Sequence, residues 1–265
     1  MKLSTDGLWN LSKKHLKILI TLEKLGEKHN FISEEIVQKR VYSRNDLNDL
    51  IKLQFITYRN GHYKLSISGT DAIAINELKR KGLTYFDPSC CGIGKESDIR
   101  IGEYEGMKCI IKMYRLGRTC YKNNLLAEGK DWYKLNKERS EKEAANLMKF
   151  INLPVPKVFA YNRHILLMEY LDYECLNRAE LVDPIAVFNR IIGIFNEMYV
   201  MNYVHCDFNE FNILIKNDDV KIIDFTKIIR TDEEEAEGFY MKGIKAIQIF
   251  FKKRFNLELE PAVIY

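Results

Sequence analysis

A chain of 265 residues with 46% apolar content can bury two modest cores, which excludes a disordered or low-complexity polymer. The formal net charge of +4 hides an asymmetry: residues 1–82 hold 15 Lys and Arg against 9 Asp and Glu, while the rest hold 26 against 28. The six cysteines, Cys90, Cys91, Cys109, Cys120, Cys175 and Cys206, form no Cys-x-x-Cys pair and read as reduced thiols of a cytosolic protein, and neither a signal peptide nor an apolar run approaching a membrane span is present.

In chain order, Leu16, Leu19 and Ile20, broadened by Leu22 and Leu25, predict a first amphipathic helix. Ser33-Glu34-Glu35-Ile36 starts a second, with a capping serine and early acids, and Ser43-Arg44-Asn45-Asp46 is a capping box ahead of Leu47, Leu50 and Ile51 in a third. Phe55–Arg59, the turn Asn60-Gly61 and His62–Ile67 form the strongest hairpin signal in the chain. Three helices and a hairpin make a winged helix over residues 1–82. Such modules bind nucleic acid through the third helix and the wing, although many serve only as protein-docking surfaces. Arg44, Asn48 and Lys52 lie off the apolar stripe of the third helix, and Arg59, His62 and Lys64 decorate the wing. With the local basic excess they are the candidate nucleic-acid contacts, against the plainer reading of a solvated basic face.

Next, Cys91-Gly92-Ile93-Gly94-Lys95-Glu96-Ser97-Asp98 precedes the alternating run Ile99–Tyr104, as a glycine loop beside strands would. Gly92 and Gly94 let backbone N–H groups approach phosphates, and Lys95 and Ser97 add charge and a hydroxyl. Gly-x-Gly-Lys also occurs in plain hairpins, and the Walker spacing is absent. After Gly106, a hairpin turn, Met107–Tyr114 is an apolar strand holding Lys112. Alone, that lysine fits a solvated strand edge as well as a functional site. Between a glycine loop and a catalytic loop it reads better as the lysine that grips nucleotide phosphates. Glu143 is the best carboxylate to hold it, with Glu141 the alternative, on a helix predicted over Ser140–Phe150 whose core stripe is Ala144, Leu147 and Met148. Pro154-Val155-Pro156 ends that helix. Ile165–Leu171 turns from apolar to mixed at Met168; it fits a core strand as well as a hinge at which backbone groups of Glu169 and Leu171 meet an adenine.

The densest chemistry lies in His205-Cys206-Asp207-Phe208-Asn209-Glu210-Phe211-Asn212, with Asp224 twelve residues after Asn212 in Ile222-Ile223-Asp224-Phe225. Asp207 can orient or deprotonate an attacking oxygen, while Asn212 and Asp224 offer hard oxygen ligands to magnesium held against nucleotide phosphates. Tyr203-Val204, Ile213–Ile215 and Val220–Ile223 read as short strands, and Asn217-Asp218-Asp219 as a turn. Ile185–Met201 and Gly243–Phe255 read as helices of the same lobe.

These residues carry a family resemblance. Gly92–Asp98, Tyr114-Arg115-Leu116-Gly117-Arg118-Thr119, Val155-Pro156-Lys157 and the Asp-Phe-Asn-Glu-Phe-Asn block with Ile223-Asp224-Phe225 resemble the RIO family of atypical kinases, and within it the winged-helix type. The resemblance implies an α+β chain: a winged helix, then a compact two-lobed RIO domain over 83–265 with an N-lobe to 171 and a C-lobe from 172, without a long activation loop. In agreement, only eight residues separate Phe225 from Glu234 in the acidic stretch Asp232–Glu235, which reads as a solvated helix start.

By resemblance, ATP and Mg2+ are the cofactors. Glu96, Met168, Glu169 and Leu171 join Gly92, Gly94, Lys95, Ser97, Lys112 and Glu143 around the nucleotide. Lys112 grips its phosphates, Asp207 is catalytic, Asn212 and Asp224 hold metal, and Asp224 can accept the phosphoryl group. The same resemblance implies an assembly-factor ATPase for the small (40S) ribosomal subunit. It would act on precursor rRNA beside other assembly factors, as a monomer away from membranes, in the cytoplasm with nuclear shuttling. The long C-terminal extension of larger relatives is expected to be missing.

A serine/threonine kinase that modifies itself, for which Thr119 beside Arg115 and Arg118 offers an acceptor, shares every catalytic residue. A catalytically weak RNA-binding scaffold is a third possibility. It is kept open by Cys206 where glycine is usual and Gly243 where an acid is common; Thr226-Lys227 in place of Pro-Gln is a further departure from the family pattern.

Overall fold

The computed structural model describes residues 8–26, 31–41, 43–87, 89–117 and 131–261. Arg118, Thr119 and Cys120 lie outside the described residues. Contacts gather the chain into two units, one reaching to Lys137 and including Ala160–Ile165, the other holding Glu138–Phe159 and Leu166 onward. The boundary expected at residue 82 lies inside the first unit.

The first unit begins with helix α1, Lys13–Gly26, which buries Ile18, Leu19, Leu22 and Glu23. The expected stripe is wider than the face it packs, for Leu16, Ile20 and Leu25 are only half-buried. Strand β1, Ile32–Ser33, leads into helix α2, Glu34–Gln38, whose Ser33 makes no side-chain capping bond. Helix α3, Arg44–Lys52, is capped as its sequence implies, the Ser43 hydroxyl accepting from Asp46 N at 3.2 Å. Its Leu47 and Leu50 are buried while Arg44, Asn48 and Lys52 face solvent.

Strands β2, Ile56–Arg59, and β3, His62–Leu65, pair around Asn60 and Gly61, both at positive φ (49° and 74°), and β1 adds to β3. Ile67 is not the end of the hairpin but the first residue of helix α4, Ile67–Arg80, capped by the Ser66 hydroxyl, which accepts from Gly69 N at 3.0 Å. Gly69 is required where the helix crosses the chain, for a Cβ there would lie 2.2 Å from Phe55 O. Helix α4 buries Ala72, Ile73, Ala74, Ile75 and Leu78 between α1 and strand β4, Leu83–Phe86. That helix joins the N-terminal elements to the sheet that follows, which is why the unit runs past residue 82.

In that sheet β4 pairs with β6, Ser97–Tyr104, and β6 with β7, Met107–Tyr114, across the left-handed turn Glu105-Gly106. The short β5, Gly92–Ile93, pairs with Ile99 and Asp98 of β6. Helix α5, Trp132–Lys149, starts eight residues before the expected Ser140. Its buried face is Ser140, Glu143, Ala144, Asn146 and Leu147; Met148, assigned to the core stripe from its spacing, is 48% exposed. Polar side chains occupy the inward face there, so an apolar count misplaces it. Strands β8, Val158–Asn162, and β9, Ile165–Glu169, follow.

The second unit is built on helix α6, Pro184–Val200, and helix α7, Ala236–Phe255. Asp183 caps α6 by accepting from Ile185 N and Ala186 N, with Pro184 opening the first turn. Strand β10, Glu174–Cys175, pairs with β12, Ile213–Lys216, and β12 with β13, Asp219–Ile222, through a turn in which Asn217 and Asp218 have φ of 49° and 62°. Strand β11, Tyr203–His205, pairs with β14, Ile228–Arg230. No helix among the described residues is long and apolar enough to cross a membrane.

Candidate active site

In the second unit, the loop between β11 and β12 is organised by side-chain amides around one carboxylate. Asn209 Nδ2 donates to Asp207 Oδ1 at 2.9 Å and Asn212 Nδ2 to Asp207 Oδ2 at 3.0 Å, so both oxygens of an exposed aspartate are held in place. Both amides also donate to Asp207 O, at 3.1 and 2.8 Å, and the loop tightens through Phe211 N donating to Asn209 Oδ1. Because Asn212 spends its NH2 group on Asp207, its Oδ1 is the atom left to take a cation.

Asp224 follows β13 with φ of +65°, the left-handed region that side chains other than Asn and Asp rarely enter. The segment around it is tied down on both sides. Ile223 N donates to Asn212 O at 2.9 Å, Cys206 N to Lys227 O at 3.1 Å, and Asn146 Nδ2 of α5 to Phe225 O at 2.8 Å. Asn212 Oδ1 and the Asp224 carboxylate are hard oxygen donors carried on adjoining backbone, a donor set that fits Mg2+.

His205, fully buried, links the two segments. Its Nδ1 accepts from Asp207 N at 3.2 Å while Nε2 lies 3.3 Å from Ile223 O, which fixes the tautomer with the proton on Nε2. Burial holds its pKa below the ordinary histidine value, so the ring is neutral. The histidine, Asn146 and Asn209 were not singled out in sequence, because their part depends on what they touch.

The departures have structural answers. Cys206 is not among the residues at positive φ, and burial pushes its thiol pKa up, so a glycine is not needed there and the thiol is inert. Gly243 of α7 makes room for an aromatic stack: Phe208 of the loop lies on Phe195 of α6 with centroids 4.0 Å apart and planes at 3°, and a Cβ at Gly243 would sit 2.7 Å from Phe195 and 3.0 Å from Phe208. An apolar anchor therefore stands where the family pattern suggests an acid.

In the first unit, Gly94 N donates to Ser97 O at 2.8 Å, closing a tight turn on which Gly94, Lys95 and Glu96 are exposed and Gly92 half-buried. Ser97 is buried as the first residue of β6. Lys112 is 9% exposed on β7, opposite Ile99; Glu143, in the part of α5 that belongs to the second unit, is 1% exposed. Charged groups buried this deeply are stable only with compensation. Glu141 is half-buried. Met168 is buried at the end of β9, and Glu169 N donates to Lys157 O at 2.8 Å. The Glu169 N–H is thus already spent, and Leu171 is half-buried.

Arg44, Asn48, Lys52, Arg59 and Lys64 are all exposed on α3 and the β2–β3 hairpin. Two of the cations have acidic neighbours, Arg44 with Glu34 at 3.9 Å and Lys52 with Asp49 at 3.7 Å, while Lys64 lies over the Phe31 ring.

The family model described as RIO domain matches residues 98–263. The serine/threonine-protein kinase rio2 of Dictyostelium discoideum is 30% identical over 97% of this chain and 53% of its own length, so the chain spans about half of that relative. The RIO-type serine/threonine-protein kinase Rio2 of Methanocaldococcus jannaschii is 29% identical over 83% of this chain and 89% of its own. Among solved structures, the Rio2 kinase-ADP/Mg2+-phosphoaspartate complex from Chaetomium thermophilum superposes with a TM-score of 0.88 at 25% identity, covering 100% of this chain and 87% of that one.

Proposed function

The chain belongs to the RIO domain family, and from that premise we propose that it is an ATP- and magnesium-dependent phosphotransferase that works as an ATPase in maturation of the small ribosomal subunit. The observation that carries the reading is the clamped Asp207, whose two carboxylate oxygens are held by Asn209 and Asn212, on a loop bonded to the segment that carries Asp224. The Rio2 kinase structure on which this chain superposes holds ADP, Mg2+ and a phosphoaspartate, which supports the reading.

Lys112 contributes fixed positive charge to the nucleotide phosphates. Magnesium, when bound by Asn212 Oδ1 and Asp224, neutralises phosphate charge. An Asp224 carboxylate oxygen attacks the γ-phosphorus; the bond to the β-phosphate oxygen breaks, ADP leaves, and an acyl phosphate forms. Asp207 then orients a water and takes its proton as the acyl phosphate is cleaved to inorganic phosphate and a free carboxylate. In this reading the exposed cations of α3 and the hairpin contact precursor rRNA, and the chain works beside assembly factors in the cytoplasm with passage through the nucleus. The relatives' kinase names support a second reading, transfer to a serine or threonine hydroxyl deprotonated by Asp207.

The test is magnesium-dependent ATP turnover by the full chain, together with its co-sedimentation with small-subunit precursors. Asp207→Ala is expected to lower turnover by about 10² or more and to leave sedimentation unchanged. Equal turnover by both proteins, or absence from the precursor fraction, rejects the corresponding half of the proposal.

A further inference from the structure

Within the first unit, a buried ionic network stands behind the glycine turn. Arg115, the residue after β7, donates Nη1 and Nη2 to the two carboxylate oxygens of Asp71 in α4 at 2.9 and 2.8 Å. Its Nε donates to Asp98 Oδ2 of β6 at 3.2 Å. His164, in the turn between β8 and β9, donates Nε2–H to Asp71 Oδ1 at 2.7 Å, and its carbonyl accepts from Tyr114 N at 2.9 Å. The side chains of Asp71 and Arg115 are only 1% and 11% exposed, so water does not compete for the pair. All four residues belong to that one unit.

Both partners are charged. Burial pushes the Asp71 carboxyl up, but Arg115 and His164 outweigh it; at Arg115 burial is likewise outweighed by Asp71 and then Asp98. A forked guanidinium–carboxylate pair has one planar geometry, and enclosed from water it fixes the residues that carry it. Those residues adjoin the glycine turn. Arg115 N donates to Glu96 O at 2.6 Å, Gly94 N donates to Ser97 O at 2.8 Å, and Asp98 follows Ser97 directly. The turn is therefore anchored on Arg115 twice, at Glu96 through its amide and at Asp98 through its guanidinium. Lys112 lies three residues before Arg115 on β7.

We propose that Arg115 is a positioning residue for the nucleotide phosphates: fixed by Asp71, it sets the conformation of the turn over residues 94–97 that receives them. Helix α4 supplies the fixing carboxylate, so the N-terminal elements are a structural part of the nucleotide site as well as a docking arm. This inference rests on the phosphotransferase reading.

The test compares binding of ATP and of adenosine by the full chain, with thermal unfolding to establish that each variant is folded. Arg115→Lys keeps the charge and the backbone amide but loses the fork. Its affinity for ATP is expected to fall about tenfold, with that for adenosine unchanged, because only the phosphates meet the turn. Hydrogen exchange of the residue-115 amide, which reports the bond to Glu96 O, should quicken about tenfold. Asp98→Asn leaves the Asp71 fork intact; it should weaken ATP about threefold, and it decides the matter if Arg115→Lys does not fold. Wild-type ATP affinity in either folded variant overturns the proposal, as does unchanged exchange at that amide in Arg115→Lys. An equal loss for ATP and adenosine overturns it too, since that marks a general loosening. A wild-type chain that binds ATP no better than adenosine removes the phosphotransferase reading itself, a failure seen before any variant is made.

Discussion

Gly243 shows how one missing side chain reorganises a loop. Alanine normally gains about 1 kcal/mol over glycine in a helix interior, but here its methyl would press on the stacked Phe195 and Phe208 rings, and overpacking of that kind costs about 1–3 kcal/mol. Gly243→Ala should therefore destabilise the chain by about 1 kcal/mol in urea unfolding rather than stabilise it. It should also slow turnover, because Phe208 follows Asp207 directly. His164 gives a pH dependence. Burial, despite the Asp71 bond, holds its pKa below the histidine value in the folded chain. The unfolded state then binds the extra proton first, so this stability is fully present above about pH 6.5 and is lost as pH falls through that value, by at most about 1.4 kcal/mol per pH unit. Unfolding free energies between pH 7.5 and 5.5 should fall with that sign, and His164→Gln should reduce the slope, leaving the share of the buried His205.

At the scale of elements, what the sequence reveals depends on whether the signal is local. Helix α3 and the β2–β3 hairpin carry their own caps and turn residues, so Ser43 and Asn60-Gly61 announced them; Ser43→Ala should cost about 1 kcal/mol in thermal unfolding. Helix α4 was missed because it is buried on nearly every side and opens with Ile67 and Gly69, so it shows no apolar–polar period and continues the hairpin in appearance. The inward face of α5 escaped for the opposite reason, being partly polar at Ser140, Glu143 and Asn146. Two-residue strands such as β1 and β10 exist only through their partners. In the candidate site, Asp207, Asn212 and Asp224 were legible because one loop and one hairpin hold them. Asn146, His205 and the Phe195–Phe208 stack required contacts far apart in sequence.

For the whole molecule, the charge asymmetry read from the sequence corresponds to exposed cations on α3 and the hairpin. If these contact rRNA phosphates, Arg59→Ala and Lys64→Ala should each weaken binding to unrelated RNA sequences alike. Each should reduce the slope of log affinity against log salt by about 1, whereas an unchanged slope would place the RNA elsewhere. The central claim is that Asp224 receives the phosphoryl group while Asp207 drives turnover. Its most direct test is incubation with magnesium and γ-labelled ATP, scoring released phosphate and label on the protein before and after hydroxylamine. Asp224→Asn suits the comparison because asparagine tolerates the left-handed backbone at that position. The account predicts a hydroxylamine-labile label that Asp224→Asn abolishes, with phosphate release lost in Asp207→Ala. An acid-stable, hydroxylamine-resistant label that persists in Asp224→Asn would contradict it and point to transfer onto a hydroxyl.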